Sequence, residues 1–102
     1  MKKYLVIGNP IKHSLSPKLH NYWIKKNNLN AVYEKVELNK NDLKNLILKI
    51  KEKEISGVNV TVPFKKEVIT YLDRLTLDAE ATQSVNTILL SGENKIVGHN
   101  TD

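Results

Sequence analysis

The stretch from Gly57 to Lys65, Gly-Val-Asn-Val-Thr-Val-Pro-Phe-Lys, combines the residue types of a polar site with the alternation of a strand. Valines alternate with Asn59 and Thr61, so a strand here places an amide and a hydroxyl on one face. Pro63 ends the strand, which puts Lys65 just beyond its carboxyl end. Ligands of open α/β sheets bind at that edge, which makes Asn59, Thr61 and Lys65 a candidate site. The alternative is an amphipathic edge strand followed by a solvated lysine.

Two serines before the first predicted helix suggest a place for an anion. Ser16 suits the N-cap position, with Pro17 as the first helical residue. Ser14 has no capping role, and the free N–H groups of a helix N-terminus favour negative charge. Ser14 and Ser16 therefore form a candidate cradle for an anion or a carboxylate. Capping alone is the alternative role for Ser16.

The charge distribution argues against nucleic acid as a partner. The net charge is +5, from 16 basic and 11 acidic residues, but Arg74 is the only arginine and the lysines are scattered along the chain. A nucleic-acid site is expected to show a basic stripe with interleaved aromatic residues. His13 and His20 have no metal-ligand spacing with other residues, so no metal site is expected either.

Length and composition predict one cytoplasmic domain. The chain has 102 residues and no cysteine, so neither disulfides nor thiolate metal sites are available. No apolar run approaches the roughly 20 residues of a membrane helix, so no membrane partner is expected. The opening Met-Lys-Lys is followed by an apolar stretch too short for a signal peptide.

Strands and helices alternate along the chain, which predicts βαβ crossovers. Residues 3–7 are an apolar run typical of a central strand, residues 31–38 suit an edge strand, and residues 42–53 have the spacing of an amphipathic helix. We therefore expect an α/β fold: a three-layer domain with a mainly parallel twisted sheet flanked by helices, ending in a β-hairpin. The other predicted elements are a helix over 18–26 with Leu19, Tyr22 and Trp23 on its apolar face, a strand over 57–62, helices over 64–71 and 75–81, and hairpin strands over 85–90 and 95–99.

Five short motifs, in order, make the chain similar to a known family. They are Gly8-Asn9-Pro10-Ile11, His13-Ser14-x-Ser16-Pro17-x-x-His20-Asn21, Gly57-x-Asn59-Val60-Thr61-Val62-Pro63-x-Lys65, Val85-Asn86-Thr87 and Gly98-x-Asn100-Thr101-Asp102. Together they resemble the N-terminal, substrate-binding domain of shikimate dehydrogenase, over residues 1–102. In that family an NADP-binding Rossmann domain follows the last motif, and this chain has no Gly-x-Gly-x-x-Gly spacing for one.

The resemblance implies a role for each matching residue. Ser14 and Ser16 would hold the carboxylate of the substrate, and Asn59, Thr61, Asn86 and Asp102 would hold its ring hydroxyls. Lys65 and Asp102 would form the catalytic pair beside the carbon that exchanges hydride. A lysine next to a carboxylate can deliver a proton to a carbonyl oxygen as that carbon is reduced.

The same resemblance sets the wider expectations. The activity would be NADP-dependent reduction of 3-dehydroshikimate to shikimate, in chorismate and aromatic amino-acid biosynthesis, with this chain alone inactive and the full enzyme a possible homodimer. The alternatives are a quinate/shikimate dehydrogenase and a non-catalytic binding module for a hydroxylated ring carboxylate. Gln83 departs from the family pattern, which usually has glycine there, so a different turn before Asn86 is the expectation.

Overall fold

A computed structural model describes residues 2–11 and 16–101, with the side chains of residues 16, 17 and 19 excepted. Six strands form one mixed sheet in the order β2-β1-β3-β5-β6-β4. Helices lie on both of its faces, which confirms the predicted three-layer α/β fold. The strands are β1 (Lys2–Gly8), β2 (Ala31–Glu37), β3 (Gly57–Val60), β4 (Arg74–Leu75), β5 (Thr87–Leu90) and β6 (Ile96–His99).

Three of the five strand pairs are parallel, as the crossover pattern predicts. β1 runs parallel to both β2 and β3, and β4 runs parallel to β6. β5 is antiparallel to β3 and to β6, and it forms the predicted hairpin with β6. The carboxyl ends of β1, β3 and β6 therefore meet the beginning of β5 at one edge of the sheet.

The central position of β1 follows from its apolar sequence. Leu5 and Ile7 face one side, where they pack in the main core, and Val6 faces the other. All three are buried, because a strand with neighbours on both sides and helices on both faces meets no water. β2 lies at the edge of the sheet, as its looser alternation predicts.

The helices are α1 (Ser16–Lys26), α2 (Leu43–Lys51), α3 (Phe64–Glu67) and α4 (Leu77–Thr82). The amphipathic prediction for α2 is confirmed, since Leu43, Leu46, Ile47 and Ile50 are all buried against the main core. A 3₁₀ turn, Lys40–Asp42, leads into α2, and the backbone N–H of Asn39 donates to the Asp42 carboxylate at 2.9 Å. A second 3₁₀ turn, Val68–Tyr71, continues α3.

Two of the three residues predicted for the apolar face of the first helix are exposed, and the side chain of Leu19 lies outside the description. Tyr22 is 60% exposed and Trp23 is 50% exposed, and the ammonium group of Lys26 lies over both rings. α1 instead turns Asn21 and Ile24 towards β1 and β2, where Asn21 binds backbone groups of the edge strand. An edge strand offers unpaired N–H and C=O groups, so a polar residue has more to gain at this contact than a large aromatic one.

Two other predicted segments are shorter than the sequence pattern suggests. β3 ends at Val60, and Val62 is 69% exposed rather than buried, because the chain turns there and the Phe64 N–H donates to the Thr61 carbonyl. The helix predicted over 75–81 begins at Leu77, since Leu75 belongs to the two-residue strand β4. None of the helices in the described ranges is long and apolar enough to cross a membrane.

Candidate functional site

Four of the five motifs converge on one edge of the sheet. The segment after β1 begins at Asn9, the segment after β3 carries Thr61 and Lys65, and Asn86 directly precedes β5. The antiparallel register places Asn59 of β3 opposite Thr87, so the start of β5 lies beside the end of β3. Strand direction and strand order thus bring together residues that are far apart in the sequence.

Asn59 lies at the centre of this edge and is half-buried. The Tyr33 hydroxyl donates to Asn59 Oδ1 at 2.6 Å. The Asn59 amide nitrogen donates to Thr87 Oγ1 at 3.2 Å and to the Asn86 carbonyl at 3.4 Å. The side-chain amide is therefore held from both sides by the protein itself.

Thr61 is fixed by the backbone of β1. Its hydroxyl donates to the Ile7 carbonyl at 2.7 Å, and its N–H donates to the same oxygen at 2.9 Å. Gly8 makes this close approach possible, because a Cβ at that position would overlap Thr61 Oγ1 and lie 3.2 Å from the Val62 carbonyl. The Gly-Asn-Pro motif after β1 therefore sets the position of a candidate site residue after β3.

Replacing Gly8 with alanine is expected to destabilise the domain by about 1–3 kcal/mol, the usual cost of forcing atoms into a well-packed site. The added methyl group must displace Thr61 or the backbone after β3. Urea denaturation followed by circular dichroism measures the change in the free energy of unfolding. Gly92→Ala is the matched control, since no atom lies within 4 Å of a Cβ at that turn residue. Equal stability of the two variants would contradict the proposed packing of Thr61.

Asn86 joins three strands of the site. Its N–H donates to the His99 carbonyl at 2.9 Å, and its carbonyl accepts from the Val60 N–H at 2.8 Å. Its side-chain oxygen accepts from Thr87 Oγ1 at 3.0 Å and from the Thr101 N–H at 3.2 Å. Its side-chain nitrogen donates to Thr101 Oγ1 at 3.0 Å. Asn86 therefore ties the last motif of the chain to the centre of the site.

Tyr33 is a site residue that the sequence reasoning missed. It lies on β2 and is only 4% exposed, and burial raises the pKa of its hydroxyl to about 12. Both backbone groups of Tyr33 are held by Asn21, whose amide donates at 2.7 Å and accepts at 2.9 Å. The ring of His20 stacks on the Tyr33 ring, with centroids 4.2 Å apart. A buried tyrosine needs a partner for its hydroxyl, which is the one sequence signal that could have pointed to it.

Lys65 is the second residue of α3 and is half-buried, whereas Lys66 is exposed. Its carbonyl accepts from the Val85 N–H at 2.8 Å, which links α3 to the segment that carries Asn86. The position beyond the carboxyl end of β3 agrees with the sequence prediction. Whether Lys65 acts as a catalytic residue stays a prediction.

The remaining predicted site residues are placed only in part. Ser14 and Asp102 lie outside the described residues, and so does His13. α1 begins at Ser16, close to the predicted cap, but its side chain is also outside the description. The carboxylate cradle and the Lys65–Asp102 pair therefore stay predictions.

Gln83 has a left-handed backbone conformation, which glycine adopts most readily. It lies at the end of α4 with φ 52° and ψ 41°, in the left-handed region. Its backbone N–H donates to the Ala79 carbonyl, and its side-chain nitrogen donates to the Glu80 carbonyl at 2.7 Å. The turn before Asn86 therefore has a left-handed residue, with glutamine in a conformation that suits glycine.

The glycines of the sequence lack the spacing of a dinucleotide-binding motif. The four glycines, at positions 8, 57, 92 and 98, never fall in the Gly-x-Gly-x-x-Gly spacing that lets a backbone approach a pyrophosphate. The amide and hydroxyl groups of this site lie close to one another, which suits a small ligand with several hydroxyls.

Comparison with known proteins gives a consistent set of relatives. The family described as shikimate dehydrogenase substrate binding domain matches residues 6–88. A shikimate dehydrogenase (NADP(+)) of Pelagibacter ubique is 59% identical over 101 residues, which are 99% of this chain and 38% of that protein. The same enzyme of Pyrococcus furiosus is 52% identical over 101 residues, again 99% of this chain and 36% of the relative.

A solved structure shares the fold closely. The crystal structure of shikimate 5-dehydrogenase from Listeria monocytogenes, in complex with shikimate and NAD, has a TM-score of 0.92 and 34% sequence identity. The match covers 100% of this chain and 35% of that one. The chain thus spans slightly more than a third of the length of the proteins that it resembles.

Proposed function

The chain belongs to the shikimate dehydrogenase family, as its substrate-binding domain, and from this premise we propose that it forms the substrate-binding half of an NADP-dependent shikimate dehydrogenase. The proposed reaction reduces 3-dehydroshikimate to shikimate, a step towards chorismate and the aromatic amino acids, in the cytoplasm. NADP would be held by a separate nucleotide-binding domain and would supply the hydride.

The observation that carries this proposal is the convergence of amide and hydroxyl groups at one sheet edge. Asn59 lies on β3, Thr61 follows β3 and Asn86 directly precedes β5, and all three are half-buried. Buried polar groups favour a ligand that completes their hydrogen bonds and reject one that cannot. The Listeria relative binds shikimate, a ring acid with several hydroxyls, which supports a ligand of this kind.

The proposed role of each site residue follows from the motif in which it lies. Asn59, Thr61 and Asn86 hold and orient the ring hydroxyls. Lys65, at the start of α3, donates a proton to the carbonyl oxygen as that carbon is reduced, and Asp102 shares this proton transfer. Ser14 and Ser16 bind the carboxylate near the N-terminus of α1, where the helix dipole favours an anion.

Binding of shikimate to the 102-residue chain tests this proposal directly. We expect saturable shifts in the ¹⁵N–¹H spectrum during a shikimate titration, largest at the side-chain NH₂ signals of Asn59 and Asn86. Cyclohexanecarboxylate, which keeps the carboxylate and lacks the hydroxyls, is expected to bind more weakly. A spectrum that does not change with shikimate, or that changes equally with both acids, would contradict the assignment.

The competing assignments differ in measurable ways. A quinate/shikimate dehydrogenase would bind quinate about as well as shikimate in the same titration, whereas the serine pair at positions 14 and 16 favours shikimate. A non-catalytic module would bind the ring acid but stay inactive after fusion to a nucleotide-binding domain.

A further inference from the structure

We infer that Tyr33 is a positioning residue that steadies the Asn59 amide, and through Thr87 the Asn86 amide, in the orientation that two backbone groups select. In that orientation Asn59 accepts a hydrogen bond from a ligand hydroxyl, and Asn86 donates one to a ligand oxygen. The inference rests on the proposed function only in taking the ligand to be a ring acid with several hydroxyls. We call the chain of hydrogen bonds that joins Tyr33, Asn59, Thr87, Asn86 and Thr101 the relay.

Two backbone groups fix the direction of the relay, because each can play only one role. The Asn86 carbonyl can only accept, so the end of the Asn59 amide that faces it at 3.4 Å is the NH₂ group. The Thr101 N–H can only donate, so the end of the Asn86 amide that faces it at 3.2 Å is the oxygen. Hydroxyls could hydrogen-bond either way, and these backbone groups decide which way they do.

The hydrogen bonds then run in one direction from β2 to the end of the chain. Tyr33 donates to Asn59 at 2.6 Å, and Asn59 donates to Thr87 at 3.2 Å. Thr87 donates to Asn86 at 3.0 Å, and Asn86 donates to Thr101 at 3.0 Å. Hydrogen bonds in such a chain polarise and strengthen one another. The orientation of Asn86 is therefore linked to a tyrosine two strands beyond β3.

Counting the remaining hydrogen-bonding capacity shows what the ligand meets. Within the part of the chain that the structure describes, both hydrogens of the Asn59 NH₂ group are used, on Thr87 and on the Asn86 carbonyl, while its oxygen accepts from Tyr33 and keeps one lone pair. The Asn86 oxygen accepts from Thr87 and Thr101, while its NH₂ group keeps one hydrogen that no described residue accepts. Asn59 therefore selects for a donor, and Asn86 selects for an acceptor.

Tyr33 is held firmly enough for this role. Its phenol is protonated at neutral pH, as for any tyrosine, and burial raises its pKa further, to about 12. Asn21 binds both of its backbone groups, and His20 stacks on its ring, so the hydroxyl has little freedom to leave Asn59. These contacts assign a role to His20 and Asn21 of the second motif, because both residues hold Tyr33, which in turn holds Asn59.

The test combines a protein substitution with a change in the ligand. Binding of shikimate and of analogues that each lack one ring hydroxyl is measured by calorimetry with the wild-type chain and with Tyr33→Phe. We expect loss of the hydroxyl that donates to Asn59 to weaken wild-type binding about tenfold, as for one hydrogen bond in a half-buried site. In Tyr33→Phe the Asn59 amide loses its shortest hydrogen bond and keeps only the contacts of its NH₂ group at 3.2 and 3.4 Å. The amide is then held more loosely, so the same loss is expected to shrink to about twofold.

A purely structural role of Tyr33 would lower the unfolding temperature and leave the penalty for each missing hydroxyl unchanged. Tyr4→Phe is the matched control, since Tyr4 packs in the same apolar cluster and takes no part in the relay. Thr87→Val cuts the relay without a change in size and serves if Tyr33→Phe does not fold.

The possible results separate the two claims. The relay is supported if the loss of affinity for one analogue is smaller in Tyr33→Phe or Thr87→Val than in the wild type. In Tyr4→Phe it should be unchanged for every analogue. A wild-type chain that binds shikimate, with equal penalties in every variant, overturns the relay alone. A wild-type chain that does not bind shikimate overturns the proposed function and the relay with it.

Discussion

Replacing Lys65 with alanine is expected to lower kcat by about 10²–10⁴, the usual contribution of a general acid or base. The assay uses a fusion in which this chain replaces the matching 101 residues of the Pelagibacter ubique relative, which supplies the rest of the enzyme. KM should change less, because the groups proposed to hold the ring hydroxyls remain. The structural link through Lys65 uses its backbone carbonyl and survives the substitution.

Lys66→Ala is the matched control for this experiment. It removes the same charge from the neighbouring position of the same helix, where the side chain is exposed and turned about 100° around the axis. Such a surface change is expected to alter the free energy of unfolding by no more than about 0.5 kcal/mol and to leave turnover unchanged. Equal kinetic effects of the two substitutions, or none from either, would remove Lys65 from the mechanism.

The 102-residue chain by itself is expected to give no detectable NADP-dependent oxidation of shikimate. The sequence has no Gly-x-Gly-x-x-Gly spacing, so we expect that the hydride acceptor is not positioned beside the substrate. Positioning two reactants side by side lowers a reaction barrier by about 7–11 kcal/mol. The reaction without this positioning is therefore expected to be far below detection. NADPH absorbance, followed over hours at high protein concentration, measures any turnover.

The fusion with the Pelagibacter relative is the positive control for that experiment. Activity in the fusion, together with saturable shikimate binding and no turnover in the chain alone, would agree with the proposed substrate-binding half. NADPH formation by the purified chain alone would contradict it, provided that Lys65→Ala removes the activity and thereby rules out a contaminating enzyme.

Local patterns in the sequence were sufficient for most of the elements. The apolar run in β1, the spacing of Leu43, Leu46, Ile47 and Ile50 in α2, and the hairpin of β5 and β6 are all confirmed. These patterns are readable because an element buries a regular face, and the period of that face is set by the backbone of a strand or a helix. The five motifs also carried the family resemblance without any coordinates.

Other local predictions failed where a contact outweighed the pattern. Tyr22 and Trp23 were expected on the apolar face of α1, yet both are exposed, and Asn21 and Ile24 face the sheet. The edge of β2 presents unpaired backbone groups to this helix, and Asn21 satisfies both groups of Tyr33. The spacing of apolar residues in α1 cannot predict this contact, because the contact depends on β2, which comes later in the chain.

The sequence by itself identified the candidate polar residues: Asn59, Thr61 and Lys65 stand out by type and spacing, and Asn86 was added by the family resemblance. Only the tertiary structure decided how those groups are aimed. Tyr33 reaches Asn59 across β1, and Asn86 meets Thr101, over separations of 26 and 15 residues in the chain. Such contacts depend on strand order and register, which are set by packing of the whole sheet rather than by any local pattern.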